Sequence, residues 1–204
     1  MDTLSSSTRK PWAVWAALAL IAVGLLAFLY VVFAASSKPQ SASGLTQYAR
    51  GEMAQLVALP EPPPMPLRAL QDETGAETNL GALKGEIVVL NVWFTSCAPC
   101  IHEMPSLAAL QRRYEGRIRV TPVSIDGEAR REDAIRMLNE LSDGDLPFLI
   151  DISRGVAFDV RASGFPVTII YGRDGRELVR LAGGADWAGE EAFALIDAVL
   201  AREP

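Results

Sequence analysis

The chain divides into an apolar N-terminal run and a longer region where strand-length and helical patterns alternate. Residues 12–35 are 24 consecutive positions without a charged side chain, and about 20 suffice to cross the hydrocarbon core of a bilayer. Because Arg9 and Lys10 precede this run, the positive-inside rule predicts a cytoplasmic N-terminus at 1–11, a transmembrane anchor at 12–35 and export of everything later. A cleaved signal peptide is the alternative, although its apolar region is typically only about 7 to 15 residues long.

A polar segment follows the apolar run. The Ser-rich residues 36–44 are typical of a flexible tether, and residues 45–60 could form a short helix that Gly51 weakens. Four prolines in residues 61–66 are then expected to break regular structure. We therefore predict an extracytoplasmic linker at 36–59 and one globular domain at 60–204.

Beyond residue 60 the hydrophobic periodicity alternates between strands and helices. Residues 86–92 are an almost continuous apolar run, typical of a strand covered on both faces, and a helical pattern follows from Cys97. Hairpins are predicted around Gly75 and at residues 173–176, where an Asp-Gly pair favours a primed turn. The other predicted strands are 117–126, 146–152, 166–172 and 177–183, and the other helices are 131–143, 154–163 and 189–203. These elements predict a mixed α/β sheet with helices on both faces.

Length and charge narrow the class of protein. The chain has 204 residues and a formal net charge of −6, which suits one domain with appendages and supplies no Lys/Arg cluster for phosphate contacts. Nucleic acid is therefore not expected as a partner. Export would place the domain where disulfides form and persist.

Cys97 and Cys100 are the only cysteines in the chain. As a structural staple, a disulfide between them would close a four-residue loop, for which loop entropy gives only about 2 kcal/mol. A structural zinc site needs four Cys or His ligands, and the chain has two cysteines and one histidine. Haem attachment needs a histidine after the second cysteine, where Ile101 stands. The pattern therefore favours a redox-active disulfide.

A redox couple needs a reactive thiolate and a second thiol that can displace it. Cys97 lies where a buried strand passes into a helix, so unpaired amides and the positive end of the helix dipole favour its thiolate. Cys100, one turn later, can attack a mixed disulfide on Cys97 and release the partner. We predict that Cys97 is the nucleophile and Cys100 the resolving thiol, with no metal and no cofactor.

Four motifs resemble a known family: LNVWFTSCAPCIHEMPSL, VSIDGE, GFPVT and GRDGREL. They are similar to those of membrane-anchored extracytoplasmic thioredoxin-like proteins related to TlpA, ResA and CcmG, and the stretch GGADWAGEEAFALI is most similar to TlpA. The resemblance covers about residues 60–204 and the anchor. It implies a thioredoxin-like fold with an N-terminal hairpin extension and a βα insertion. Ser96 replaces the tryptophan common before the first cysteine, which removes an aromatic contact beside the nucleophile.

The resemblance also implies roles for residues outside the cysteine pair. Glu103 matches the family pattern CxxCxxE and is expected to accept the proton of Cys100; spacing alone would suit a solvated glutamate. Asn91 stands where cytoplasmic thioredoxins have a buried aspartate, so Glu103 would replace that route. Phe165 and Pro166 match the cis-proline loop that binds an extended substrate segment. His102, in contrast, is expected at the surface, turned away from both cysteines.

The predicted function is thiol:disulfide exchange by a single-pass protein of the bacterial inner membrane, with its catalytic domain in the periplasm. By resemblance, the substrates are cysteine pairs of apocytochrome c or of the copper-binding subunit of cytochrome oxidase, and a membrane protein of the CcdA or DsbD type supplies electrons. The alternative is a copper metallochaperone that uses Cys97, Cys100 and Met104 as soft ligands. The sole histidine lies beside the motif rather than far from it, which disfavours that alternative.

Overall fold

The predicted strands join into one mixed sheet in the computed structural model, which describes residues 11–36 and 42–203. Its strands are Leu70–Asp72 (β1), Glu77–Thr78 (β2), Val88–Trp93 (β3), Arg119–Ser124 (β4), Leu149–Ile150 (β5), Val167–Tyr171 (β6) and Glu177–Ala182 (β7). The spatial order is β2-β1-β5-β4-β3-β6-β7. Neighbours β3, β4 and β5 are parallel, and the other adjacent pairs are antiparallel. The prediction of a mixed sheet is confirmed.

Helices precede, separate and follow the strands along the chain. The α-helices are Pro11–Ser36 (α1), Ala98–Arg113 (α2), Arg131–Ser142 (α3), Gly155–Asp159 (α4) and Glu190–Arg202 (α5), and the 3₁₀ turns are Ala42–Tyr48, Gly51–Met53, Leu80–Leu83 and Glu128–Arg130. β1 and β2 form the predicted N-terminal hairpin extension. β5 and α4 lie between α3 and β6, and their assignment as the predicted βα insertion stays a prediction.

The central strand β3 explains why the core has two sides. All six of its residues are buried, because side chains of a strand alternate between faces and both faces are covered. Val89 and Trp93 pack in one apolar cluster with residues of α2, α3 and α5, whereas Leu90 and Val92 pack in the other with residues of α4. Because β3 is antiparallel to β6, the end of β3 lies beside the start of β6, where Val92 pairs with Val167. This register brings the segments after β3 and before β6 to one edge of the sheet.

The N-terminal apolar run is helical over the range where the anchor was predicted. Within residues 11–36 and 42–203, no helix is both long and apolar enough to cross a membrane. The anchor at 12–35 is therefore unconfirmed and stays a prediction. Of the predicted cytoplasmic N-terminus, residues 1–10 lie outside the described residues, as do residues 37–41 of the predicted linker.

Residues that the sequence assigned to the linker pack on the domain. The compact unit begins at Ala42, before the boundary predicted at residue 60. Leu45 and Met53 are fully buried in the larger apolar cluster, and Val57 exchanges two backbone hydrogen bonds of 2.9 Å with Arg180 on β7. The sequence did not show that this segment packs on the domain. Its regular structure consists of short 3₁₀ turns, which do not repeat every 3.6 residues and so leave no helical pattern of apolar positions.

The turn between β6 and β7 differs from the predicted primed turn. A primed turn requires positive φ at its first central residue, and type I′ requires it at both, yet of Asp174 and Gly175 only Gly175 has it, at 76°. The Gly175 N–H donates to the Gly172 carbonyl, and the Gly172 N–H donates to the Arg176 carbonyl. The hairpin is thus closed by an ordinary turn followed by one left-handed glycine, and the register shifts next to it, between Ile170 and Tyr171.

Candidate active site

The cysteine pair lies at the start of α2. Cys97 is the N-cap residue of this helix, and its Sγ accepts the Cys100 N–H at 3.3 Å. The two sulfurs form a disulfide, and the Cα atoms are 5.3 Å apart. Because the first amides of a helix lack intrahelical acceptors, a thiolate formed at Cys97 would meet donors already directed at it.

The two cysteines differ in their access to a partner. Cys97 retains 6% of its surface, whereas Cys100 retains none. Ser96, Ala98 and Pro99 are exposed around Cys97. A protein disulfide can therefore approach Cys97 without a rearrangement of the helix, while the buried Cys100 is accessible only to its neighbour, Cys97 Sγ.

Glu103, one turn after Cys100, is buried rather than solvated, with 2% of its surface exposed. Its Oε1 accepts the side-chain amide of Asn91 at 2.6 Å, and that amide also donates to the Thr168 hydroxyl at 2.9 Å. Its Oε2 accepts the Ala185 N–H at 3.1 Å and the Trp187 indole N–H at 3.3 Å. All three donors to the carboxylate are uncharged.

These surroundings control the ionisation of Glu103. Burial disfavours the charged form and raises the pKa of Glu103 from 4.5 to about 7, although the hydrogen bonds from Ala185, Asn91 and Trp187 lower it in part. A carboxyl with a pKa near neutrality can both accept and return a proton at physiological pH. Sequence reasoning identified Glu103, but burial and its partners became visible only in the fold.

A second buried carboxylate, Asp126, holds the turn that leads to Cys97. The Thr95 N–H and hydroxyl both donate to it at 2.8 Å, one to each oxygen, and the Ser124 hydroxyl donates at 2.9 Å. Arg130 donates from Nη1 to the Thr95 hydroxyl at 3.2 Å. The turn before Cys97 is therefore fixed to the end of β4 through one side chain.

The predicted substrate loop lies at the same edge of the sheet. The Phe165–Pro166 bond is cis, as predicted. The Phe165 ring meets the Phe94 ring edge to face, with centroids 5.4 Å apart and an angle of 81° between the planes. This half-buried aromatic pair joins the loop to the segment before Cys97, two positions from Ser96. The substrate-binding role of Phe165 and Pro166 stays a prediction.

The loop between β7 and α5 contacts the cis-proline loop and the turn that carries the cysteines. The Gly183 N–H donates to the Pro166 carbonyl at 2.8 Å. Gly184 lies against Pro99, and an added Cβ would stand 3.4 Å from the Pro99 carbonyl oxygen, in van der Waals contact. A third contact is the pair of hydrogen bonds from this loop to Glu103.

Sequence reasoning missed Thr95, Asp126, Ala185 and Trp187. Asp126 and Trp187 lie inside stretches that carried the resemblance, and each follows closely the end of a strand, which was the only signal available. Of the other candidates, His102 is exposed, as predicted, and Met104 is fully buried in the apolar core. Within the described ranges there is no group of three or more His, Cys, Asp or Glu side chains able to hold a metal ion.

The fold and the paired cysteines define a thioredoxin-like protein. A crystal structure of a Chlorobium tepidum protein assigned as the thiol:disulfide interchange protein DsbE, 24% identical, covers 70% of this chain and 99% of its own with a TM-score of 0.62. The model of the AhpC/TSA family matches residues 63–176, more than half of the chain. The chain belongs to the AhpC/TSA family. The matched range includes the cysteine pair, Glu103 and Phe165–Pro166, and ends before the β7–α5 loop.

Two curated relatives cover part of the chain. The thioredoxin-like protein YneN of Bacillus subtilis is 32% identical over 107 residues, which are 52% of this chain and 62% of YneN. The thiol-disulfide oxidoreductase ResA of Bacillus cereus is 29% identical over 114 residues, which are 55% of this chain and 64% of ResA. The match thus spans less than two thirds of either relative.

Proposed function

We propose that this protein is a thiol:disulfide oxidoreductase in which Cys97 attacks and Cys100 resolves. The observation that carries the proposal is the asymmetry of the pair: Cys97 caps α2 and reaches the surface, whereas Cys100 is fully buried behind it. A disulfide with a purely structural role would not need one cysteine at the surface and the other fully buried. The names of the relatives, thioredoxin-like protein and thiol-disulfide oxidoreductase, support the same chemistry.

In the reductive direction the reaction has two exchange steps. The Cys97 thiolate attacks one sulfur of a partner disulfide, which forms a mixed disulfide and expels the other partner sulfur as a thiolate. Cys100 loses its proton and attacks Cys97 Sγ, which closes the Cys97–Cys100 disulfide and releases the second partner thiolate. Two electrons pass to the partner, whose thiolates take up protons from water. The oxidised protein then requires an external dithiol to return it to the reduced state.

Glu103 is the proposed proton acceptor for Cys100. The thiol is buried and needs a base inside the protein, because water has little access to it. Glu103 lies one turn further along α2 on the same side. Because its pKa is about 7, a fraction of Glu103 is ionised at neutral pH and can accept the proton, and the protonated form can release it again.

Location and partners are proposed from the resemblance. The uncharged helix α1 after Arg9 and Lys10 would hold the domain outside the cytoplasm, at the bacterial inner membrane. The substrates would be cysteine pairs of apocytochrome c or of the copper-binding subunit of cytochrome oxidase, and a membrane donor of the CcdA or DsbD type would supply electrons. A phosphatase reporter fused after residue 41 should be active; activity from a cytoplasmic reporter alone would reject this topology.

The experiment that tests the chemistry compares Cys100→Ser with Cys97→Ser in the full chain. Cys100→Ser retains the attacking thiol but lacks the resolving one, so mixed disulfides with partners should accumulate as reducible bands of higher mass. Cys97→Ser should give few or none, because its remaining thiol is buried. Equal trapping by both variants would overturn the assignment of roles, and no trapping by either folded variant would remove the proposed mechanism.

A further inference from the structure

The loop Gly183–Trp187 has more contacts with the site than a simple connection between β7 and α5 needs. It contacts the cis-proline loop through Gly183, the cysteine turn through Gly184, and Glu103 through Ala185 and Trp187. The Trp187 backbone N–H also donates to the Ser106 hydroxyl at 3.0 Å, which fixes the tryptophan to α2 one turn beyond Glu103.

We propose that Trp187 and Ala185 are positioning residues for Glu103, so that the β7–α5 loop is part of the proton-accepting site. The inference rests on the proposed function of Glu103. Both loop donors reach Oε2, while Asn91 is the one donor to Oε1 in the described part of the chain. The loop therefore holds one carboxylate oxygen at a fixed place, and its donors favour the ionised form over the protonated one.

The groups that face Glu103 make this control specific. β3 presents the Asn91 amide, β6 presents the Thr168 hydroxyl behind it, and the loop presents an indole and a backbone amide, all of them neutral. In the reduced protein, the thiols of Cys97 and Cys100 at the start of the same helix also titrate. The one acid in the loop, Asp186, is exposed, and its carboxylate accepts the Ala188 N–H instead.

Trp93 provides a matched control for Trp187. Both side chains are fully buried and belong to the same apolar cluster. The Trp93 indole N–H, in contrast, has no hydrogen-bond partner within the described residues. A change from tryptophan to phenylalanine therefore removes the same atoms at both places, but it removes a donor to the carboxylate only at residue 187.

The experiment measures the titration of the Glu103 carboxyl by carbon NMR in the oxidised full chain, where the cysteines do not titrate. Glu103→Gln identifies the signal. Trp187→Phe should raise the midpoint by about half to one pH unit, because one hydrogen bond to the charged form is lost, and Trp93→Phe should leave it in place. The pH midpoint of the resolving step in single-turnover reactions should move in parallel.

The outcomes separate this inference from the proposed function. No shift in folded Trp187→Phe, or an equal shift in both tryptophan variants, would overturn the positioning role and leave the cysteine mechanism untouched. If instead Glu103→Gln left the pH profile of the resolving step unchanged, the proposed proton acceptor would fall, and the carboxyl titration would still decide whether Trp187 acts on Glu103.

Discussion

Two buried carboxylates accompany the cysteine pair, and they are held in different ways. Asp126 accepts three hydrogen bonds from the turn before Cys97 and from β4, with Arg130 attached to the same turn. Glu103, one turn after Cys100, is surrounded by neutral donors, and burial raises its pKa to about 7. Under the proposed mechanism, we therefore expect Asp126 to fix the geometry of the turn before Cys97 and Glu103 to accept the proton of Cys100.

The largest effect is expected for Asp126→Ala, which leaves three donors without their charged acceptor. Each hydrogen bond to a charged group contributes about 1.5 to 3 kcal/mol in favourable cases, and some donors will find water, so the free energy of unfolding should fall by about 3 to 4 kcal/mol. Attack by Cys97 should also slow, since the turn before it is released. Urea unfolding of the oxidised protein and the rate of mixed-disulfide formation in the Cys100→Ser background measure the two effects.

Asp133→Ala is the control for this prediction. Asp133 is exposed on α3 and, among the residues that the structure describes, pairs with Arg136 alone on the same helix, so its removal should change the free energy of unfolding by about 0.5 kcal/mol or less. A similar loss in both variants would contradict the special role of Asp126.

A smaller and pH-dependent effect is expected for Glu103→Gln. Between pH 4.5 and about 7 the folded protein holds a proton that the unfolded chain has released, so this group stabilises the fold fully below that window and the contribution is lost as the pH rises through it. A pKa change of this size corresponds to about 3 kcal/mol. The stability difference between the two proteins should change by that amount across the window, in favour of the variant at higher pH.

This measurement uses the oxidised protein, because disulfide-bonded cysteines do not titrate. Denaturant unfolding at several pH values gives the slope, and the exposed Glu132→Gln on α3 serves as the control, with an expected slope equal to that of wild type. A Glu103→Gln slope identical to wild type would show that Glu103 ionises as an ordinary surface carboxylate does.

The smallest effect is expected for Thr95→Val, which removes the hydroxyl that donates to Asp126 and keeps the backbone N–H. The loss should be about 1.5 kcal/mol of unfolding free energy, the lower end of the range for a hydrogen bond to a charged group, with slower mixed-disulfide formation and an unchanged pH midpoint of the resolving step. Thr95→Ser retains the hydroxyl and should behave as wild type. A shifted midpoint in Thr95→Val would mean that the attacking and resolving sides are not separate.

The local pattern of the sequence determined the helices and strands, and also the relative positions of reactive residues that lie on the same helix. The continuous apolar run of β3 and the helical pattern after it placed Cys97 at a helix start, and the three-residue spacings put Cys100 and Glu103 on one side of α2. These follow from strand and helix geometry, which depends on neighbours in the chain. Motif resemblance added the cis bond at Pro166, which periodicity does not reveal.

Only the tertiary structure decided what surrounds these residues. Asn91 and Trp187 precede and follow Glu103 by 12 and 84 positions, and Asp126 lies 31 positions after Thr95, so no local pattern pairs them. Whether Glu103 is solvated or buried likewise depends on the loop after β7 that covers it. The burial that raises the pKa of Glu103 results from several segments packed together. The sequence therefore identified the carboxylate but could not predict its pKa.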